Sequence, residues 1–408
     1  MVATLGLGIR VPRPSPPGFS ATATSARATT AGPVFSDFNG DGFPDQAIGA
    51  PSEDLGSLED AGAVNVLYGS ATGLQTDAPA DQFWTQDSTD LEDQAESGDR
   101  FGFALVGADF NGDGFADLAI GAPSEDLPAG RNAGAVNVLY GSSAGLQVTS
   151  PEDQFWNQDS PDVQDEAAAE ERFGRSLGAG DFNGDGYADL AIGVPYQVMN
   201  GRKNAGAASV LYGSPAGLQA TSPDDQFWNQ DSPDVEDQAE ERDWFGWSLA
   251  PGDFNGDGFA DLAIGDRVED VGAVVDAGAV NVLYGSVSGL QATAPEDQFW
   301  TEDSADVEDQ AETDDEFGWS VDAADFNLDG FQDLIIGVPL QDVSTIADAG
   351  AAHVLYGSAA GLQTAAPEDQ FWTQGSLGVD DQAEVGDEFG DSFTGGAQCY
   401  HPCHSPFP

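Results

Sequence analysis

Five acidic nonapeptides hold the side chains with which this chain could do chemistry. Each places an oxygen donor at positions 1, 3, 5 and 9: Asp37, Asn39, Asp41 and Asp45 in the first copy, and Asp109, Asn111, Asp113 and Asp117 in the second. Asp181, Asn183, Asp185 and Asp189 form the third set, Asp253, Asn255, Asp257 and Asp261 the fourth, and Asp325, Asn327, Asp329 and Asp333 the fifth. Glycine at position 6 permits a sharp turn that lets the carbonyl of residue 7 (Phe43, Phe115, Tyr187, Phe259 or Phe331) point inward beside them. An all-oxygen set without His or Cys suits a hard cation, and Ca²⁺ is the expected occupant, up to five ions at one per copy. Three carboxylates against a dication leave about −1, which predicts weak binding, on the order of 10⁻⁴ to 10⁻³ M. The alternative is that Asn-Gly and Asp-Gly only make tight hairpin turns; turn chemistry, however, does not call for Asp at position 9 of every copy.

The copies begin at Asp37, Asp109, Asp181, Asp253 and Asp325, a period of 72 residues without insertion or deletion. Such a period means one supersecondary unit repeated. An EF-hand is excluded, because its bidentate Glu at position 12 is replaced by Ile48, Ile120, Ile192, Ile264 and Ile336 and the flanks are apolar and β-like. Each loop therefore joins two strands. In the second unit, residues 101–106 read as a first strand and 117–123 as a second, ended by Pro123. Residues 134–142 read as a third, with Val136, Val138 and Tyr140 on one face, and 153–159 as a short fourth. Four short antiparallel strands per unit are the signature of a β-propeller blade, so the fold class is all-β. Trp84, Trp156, Trp228, Trp300 and Trp372 recur in the fourth strand and are expected to pack between blades, as are Asn65, Asn137 and Asn281 in the third.

Phe101-Gly102, then the acidic loop, then Gly121-Ala122-Pro123, in order and at fixed spacing, resembles the FG-GAP repeat of the integrin α-subunit propeller and of bacterial secreted proteins. The resemblance covers residues 35–393. It implies a propeller with calcium in the hairpins between first and second strands, on the face opposite the ligand-binding loops. The chain departs from the pattern in places: Gly-Ala-Pro becomes Gly265-Asp266-Arg267 in the fourth unit, and position 4 of the last loop is Leu328 instead of glycine. Integrin-type propellers close with seven blades, whereas five loops are present here. Thr29-Thr30 stand where the first Phe-Gly belongs, and an additional Phe389-Gly390 follows the fifth unit. If the C-terminal strand joins the first unit, five blades close into a ring; if it does not, the chain is an open arc of a larger propeller.

Of 408 residues, 72 are acidic and 11 are Lys or Arg, a net charge of −61. Repulsion excludes nucleic acid as a partner, and no apolar run approaches the ~18 residues of a membrane helix, so membrane insertion is not expected. Three Asp in each of five loops account for 15 acids; the other 57 are dispersed, as on a salt-adapted surface or a secreted one that collects divalent ions. Residues 1–34 are expected to be a poorly ordered segment, with residues 1–9 too short and Gly-broken to make a good secretory signal. Residues 394–408, with Cys399, Cys403, His401 and His404, read as an unstructured tail or, more sharply, a metal knuckle or small disulfide loop.

In a repeat array the residues that break the pattern are the candidates for function. Arg131, Arg202, Lys203, Arg242 and Arg267 fall in or beside connections that should share the face away from the loops, where they could orient a carboxylate-bearing peptide or an acidic sugar. Trp244 lies beside Arg242 and is a candidate contact, as is Asp266; Trp247 and Trp319 are further exceptions that could instead fill the channel. The reading is an extracellular or cell-surface adhesion propeller that binds a protein or glycan and does no catalysis. The rival is a phospholipase- or glycosidase-type hydrolase, or its accessory module. Paired carboxylates can hydrolyse glycosides, with Asp266 the first suspect, and His353, standing for the third-strand Asn, is expected to be packed and not catalytic.

Overall fold

A computed structural model describes residues 36–393 except Ala78. The N-terminal segment, the C-terminal tail with its cysteines and two histidines, and residue 35 lie outside the described residues, and so do the expectations placed on them. The described chain is built from five antiparallel sheets in chain order. The first contains β1 (Gln46–Ala50), β2 (Ala63–Leu67) and β3 (Gln82–Trp84); the second β4 (Ala104–Ala108), β5 (Asp117–Ala122), β6 (Ala135–Leu139) and β7 (Gln154–Trp156). The third contains β8 (Ser176–Gly180), β9 (Asp189–Gly193), β10 (Ala208–Leu211) and β11 (Gln226–Trp228); the fourth β12 (Ser248–Gly252), β13 (Asp261–Asp266), β14 (Ala279–Leu283) and β15 (Gln298–Trp300). The fifth contains β16 (Ser320–Ala324), β17 (Asp333–Val338), β18 (Ala351–Leu355) and β19 (Gln370–Trp372). Each strand pairs with the next in sequence, as in Leu105↔Ile120, Ile120↔Asn137 and Asn137↔Phe155. These are propeller blades, as the period predicts.

The cores lie between blades. Val64, Val66 and Tyr68 of the first blade pack with Leu118, Ile120 and Leu139 of the second, and three further clusters join second to third, third to fourth and fourth to fifth. The fourth-strand tryptophans Trp84, Trp156, Trp228 and Trp300 join these clusters, in agreement with the packing role expected of them. Asn137 and Asn281 are fully buried.

Two contacts between blades are repeated. The hydroxyl of Tyr68 donates to Gln82, whose Nε2 donates to the Leu146 carbonyl of the next blade at 2.8 Å, and Leu146 N–H returns bonds to Gln82 Oε1 and the Tyr68 hydroxyl. Tyr140, Tyr212 and Tyr284 repeat this lock with Leu218, Leu290 and Leu362. On the loop side, the position-7 aromatic of one blade covers the position-4 glycine of the blade before it. A Cβ on Gly112 would meet the Tyr187 ring at 2.5 Å, and Gly40, Gly184 and Gly256 are covered in the same way by Phe115, Phe259 and Phe331. Leu328, the fifth position-4 residue, carries no such cover and is 87% exposed, so the sequence departure falls where the contact is missing.

The first strand begins later than the sequence pattern suggests. Phe101-Gly102 precedes β4 and docks on the preceding blade, with Phe101 bridging Gly62 and Phe101 N–H donating to the Ala61 carbonyl. Phe173, Phe245 and Phe317 bridge Gly134, Gly206 and Gly278 in the same way. Phe389 bridges Gly350, and Ser320 Oγ donates to the Gly390 carbonyl at 2.7 Å, so the additional Phe-Gly fastens the fifth blade. A Phe-Gly is therefore the clasp of the blade before it.

Candidate metal loops and binding face

The five loops are nearly superimposable in their bonding. In the second, Asp109 Oδ1 accepts from Asp113 N–H and Oδ2 from Gly114 N–H, Asn111 Oδ1 accepts from Asp113 N–H, and Asp113 Oδ1 accepts from Phe115 N–H, at 2.9–3.1 Å. Gly114, at φ +90°, makes the turn possible. Asp117 has a different role: its two oxygens accept from Phe110 N–H (2.9 Å) and Gly141 N–H (2.8 Å), tying the loop to the end of the third strand. Asp45, Asp189, Asp261 and Asp333 do the same.

The donor set fits a hard cation in its chemistry. Each loop gathers three carboxylates and an amide oxygen, each oxygen keeps a lone pair beyond the bonds just given, and no Lys or Arg lies within any loop. Burial pushes the Asp117 carboxyl up to about 8, with the Asp109 and Asp113 charges adding to it, and burial raises Asp109, Asp181 and Asp253 as well. Among the described residues, no three acidic, His or Cys side chains already converge as a cation cage, because the carboxylates are turned onto backbone N–H groups.

The opposite ends of the same strands differ from blade to blade. One register position, two residues after the clasp phenylalanine, is occupied by Phe103, Arg175, Trp247, Trp319 and Asp391. The Arg175 guanidinium lies 4.5 Å from the Phe103 ring centre and 4.1 Å from that of Trp247, and Trp247 meets Trp319 at 5.7 Å. Arg267 stands where the other blades have proline. It lies 4.2, 4.0 and 4.2 Å from the ring centres of Trp244, Trp247 and Trp319 and pairs with Glu316 at 2.8 Å. Trp244 stacks on Trp247 at 5.4 Å, and Arg172 lies 4.8 Å from the Tyr196 ring centre. Guanidinium packed on indole is favourable by about 0.5–2 kcal/mol, more as water is excluded.

Of the residues expected at this face, Trp244 and Arg267 are thus brought together. Arg131 is bound to Asp126 at 3.6 Å and Arg202 to Asp231 at 2.7 Å, and Lys203 and Arg242 are exposed outside the cluster. Asp266 is a correction: it is fully buried and cannot touch a partner. It accepts from Gln230 Nε2, which also donates to Glu269 at 2.8 Å; burial, then the charges of Asp243 and Asp237, raise the Asp266 carboxyl, and burial, then the charge of Asp266, raise that of Glu269. Asp266 occupies an alanine or valine position of the other blades, so it faces inward with the core while its neighbour Arg267 faces the rings. Arg175 is one of the eight basic residues that the sequence places in the array, with Arg100 and Arg172 beside the five named above, but its place in the row of aromatics shows only when the units are aligned on the clasp; Tyr196 was missed by sequence reasoning.

His353 is packed, as expected. It is buried between Phe317 and Phe371, with Nε2 3.1 Å from Glu302 Oε1, and burial lowers it to about 4 while raising Glu302 to about 8. Glu302 stands where the four other units have Gln86, Gln158, Gln230 and Gln374. Gly141-Ser142-Ser143-Ala144-Gly145 matches the Gly-x-Ser-x-Gly hydrolase pattern by letter. The serine of the pattern is Ser143, exposed in a turn that Ser142 closes by donating from Oγ to the Gly145 carbonyl at 2.7 Å, and no helix follows it, so it lacks the strand-to-helix elbow of that motif. No helix among the described residues is long and apolar enough to cross a membrane.

The FG-GAP repeat family matches five times, at residues 30–67, 101–139, 173–211, 245–283 and 317–355. Phosphatidylinositol-glycan-specific phospholipase D from Homo sapiens is 34% identical over 166 residues, 41% of this chain and 18% of that protein. The Mus musculus enzyme is 34% identical over 220 residues, covering 52% and 23%. Integrin alpha-PS2 of Drosophila melanogaster is 34% identical over 179 residues, covering 42% of this chain and 12% of the integrin. The chain thus matches less than a quarter of the length of each of these relatives. It is an array of five FG-GAP repeats folded as propeller blades, similar to the repeats of the integrin α subunits.

Proposed function

We propose that this chain is a calcium-stabilised, extracellular or cell-surface propeller that binds a protein or glycan on the face opposite its acidic loops and does no chemistry of its own. The observation that carries the reading is the division between the two strand ends: five loops with the same bonding, and opposite them a cluster of arginine and tryptophan that only the central and later blades supply. A uniform end suits a scaffold, and a singular end suits recognition. When bound, Ca²⁺ would be held by the position 1, 3, 5 and 9 side chains of each loop and would neutralise their charge.

Thermal unfolding in millimolar Ca²⁺ against chelator, at high and equal monovalent salt, tests the calcium part. Binding to the folded state alone must raise the melting temperature as calcium exceeds its dissociation constant. Melting that follows total salt and ignores calcium overturns it. A second reading, the accessory module of a secreted hydrolase, has the phospholipase D similarity in its favour; enzyme assay of a full-length protein carrying these repeats, with and without them, separates the two.

A further inference from the structure

Arg175 is an unusual cation for this chain. In a protein with 72 acids, no carboxylate and no hydrogen-bond acceptor meets its guanidinium among the described residues. Arg267, its neighbour across Trp247, has Glu316. Arg175 is instead held between Phe103 of the second blade and Trp247 of the fourth. Rings against the flat faces of a guanidinium leave its N–H groups pointing outward in the plane, as a fork of fixed orientation. Arg172 stands nearby with its Nε buried and unpaired, over the Tyr196 ring. Burial, with smaller contributions from the charges of Arg267, Arg172 and Arg100, brings Arg175 down to about 10.

Resting on the reading that this end of the strands is the ligand face, we propose that Arg175 is the anchor of a carboxylate site, and that its ligand is an acidic sugar, a pyranose bearing a carboxyl group. A flat fork with free edges pairs with a flat carboxylate through two parallel hydrogen bonds. The site lies beside half-exposed aromatic residues, Tyr196, Trp244 and Trp319, and the C–H face of a pyranose packs on such rings. Overall charge favours the same ligand: a net charge of −61 repels polyanions and acidic proteins, whereas a sugar unit brings a single negative charge to the cluster formed by Arg172, Arg175 and Arg267.

The test uses the whole chain, saturated with Ca²⁺, and three probes: methyl β-D-glucuronide, methyl β-D-glucoside, which differs only in having CH₂OH for the carboxylate, and N-acetyl-aspartate amide. Tryptophan fluorescence reads binding, since Trp247 touches Arg175. The glucuronide is expected to saturate at least about tenfold more tightly than the glucoside. Arg175→Lys, which keeps charge and loses the fork, should weaken it about tenfold, and Arg175→Gln should remove it, with melting curves showing both variants folded. Equal binding of the glucoside, or binding that survives Arg175→Gln in folded protein, overturns the site. Tighter binding of the aspartate derivative overturns the sugar and assigns an acidic peptide. Calcium stabilisation without glucuronide binding defeats this inference alone; glucuronide binding without calcium stabilisation defeats the calcium reading alone.

Discussion

The two ends of the strands in one blade are about five residues, or roughly 17 Å, apart, and they follow opposite rules. At the acidic end, the bonds that shape the loop are the same in every blade and stay within 2.7–3.1 Å. At the other end, one register position changes from Phe103 to Arg175 to Trp247 to Trp319 to Asp391. The first end cannot vary, because each loop also carries the seam with its neighbour: the Asp37 carbonyl accepts from Ala116 N–H, and Phe115 covers Gly40. The second end carries less of the seam and is free to differ. Within the loops the same division recurs on a smaller scale, since the buried position-9 aspartate ties the loop to the third strand while the exposed position-5 aspartate bonds only inside the loop.

The largest effect should come from that buried aspartate. Asp117→Ala leaves the Phe110 and Gly141 N–H groups without acceptors, at about 1–3 kcal/mol each. A loss of roughly 2–6 kcal/mol is expected in denaturant unfolding in chelator, and a larger one in Ca²⁺, where the variant also lacks one of the proposed ligands. Asp113→Ala should cost under about 1 kcal/mol in chelator and yet reduce the rise that Ca²⁺ gives. Equal costs for the two in chelator would erase the division between the aspartate that braces the loop and the one that does not. Next in size is the seam: Gly112→Ala puts a Cβ 2.5 Å from the Tyr187 ring at φ +70°, and about 2–4 kcal/mol should be lost. Leu328→Ala, at the equivalent position without a covering ring, should stay within about 1 kcal/mol.

These contrasts also show what could be read from sequence. The period, the blade and the loop chemistry were legible because they depend on residues repeated in place, and repetition averages out local ambiguity. The clasp was misplaced by three residues, since Phe101-Gly102 continues the apolar run of β4 although Phe101 bonds to the first blade. Asp266 was misjudged for a related reason. An acid that replaces a small apolar residue looks like a surface feature in sequence, and only Gln230 and Glu269, 36 and 3 residues away, reveal a buried polar pocket. A partner 36 residues away, as Gln230 is, has no local signature. The Arg175 ladder was legible only by comparing units column by column.

The fifth blade offers a smaller, pH-dependent test. His353, lowered to about 4 by burial, contributes stability that is present above its ordinary value near 6.5 and is lost as pH falls through about 4. Glu302, raised to about 8, contributes stability that is present below about 4.5 and is lost as pH rises through about 8. Replacing both with the residues other blades use, His353→Asn with Glu302→Gln, should remove both slopes. The two slopes oppose each other between about pH 4.5 and 6.5, so the difference between wild type and double variant should change mainly between pH 6.5 and 8, where it falls by on the order of 1–3 kcal/mol, read from urea unfolding at fixed salt. A difference that is flat from pH 4 to 8 would mean the buried pair does not titrate with folding.

The smallest effect separates the two kinds of arginine on the variable end. Arg131 reaches Asp126 with Nε 3.6 Å from Oδ2, but its side chain is 80% exposed, so water and salt screen the pair and holding two side chains in one geometry costs entropy. Arg131→Gln should therefore change unfolding free energy by less than about 0.5 kcal/mol at 0.15 M salt, and by less still at 1 M. Arg267 is 9% exposed, packed on three indoles and bonded to Glu316, and Arg267→Gln strands that carboxylate in a half-buried site, which places its cost well above that of Arg131→Gln. If the two substitutions cost the same, the aromatic cluster is no more organised than an ordinary exposed ion pair, and a preformed guanidinium fork at Arg175 loses its support.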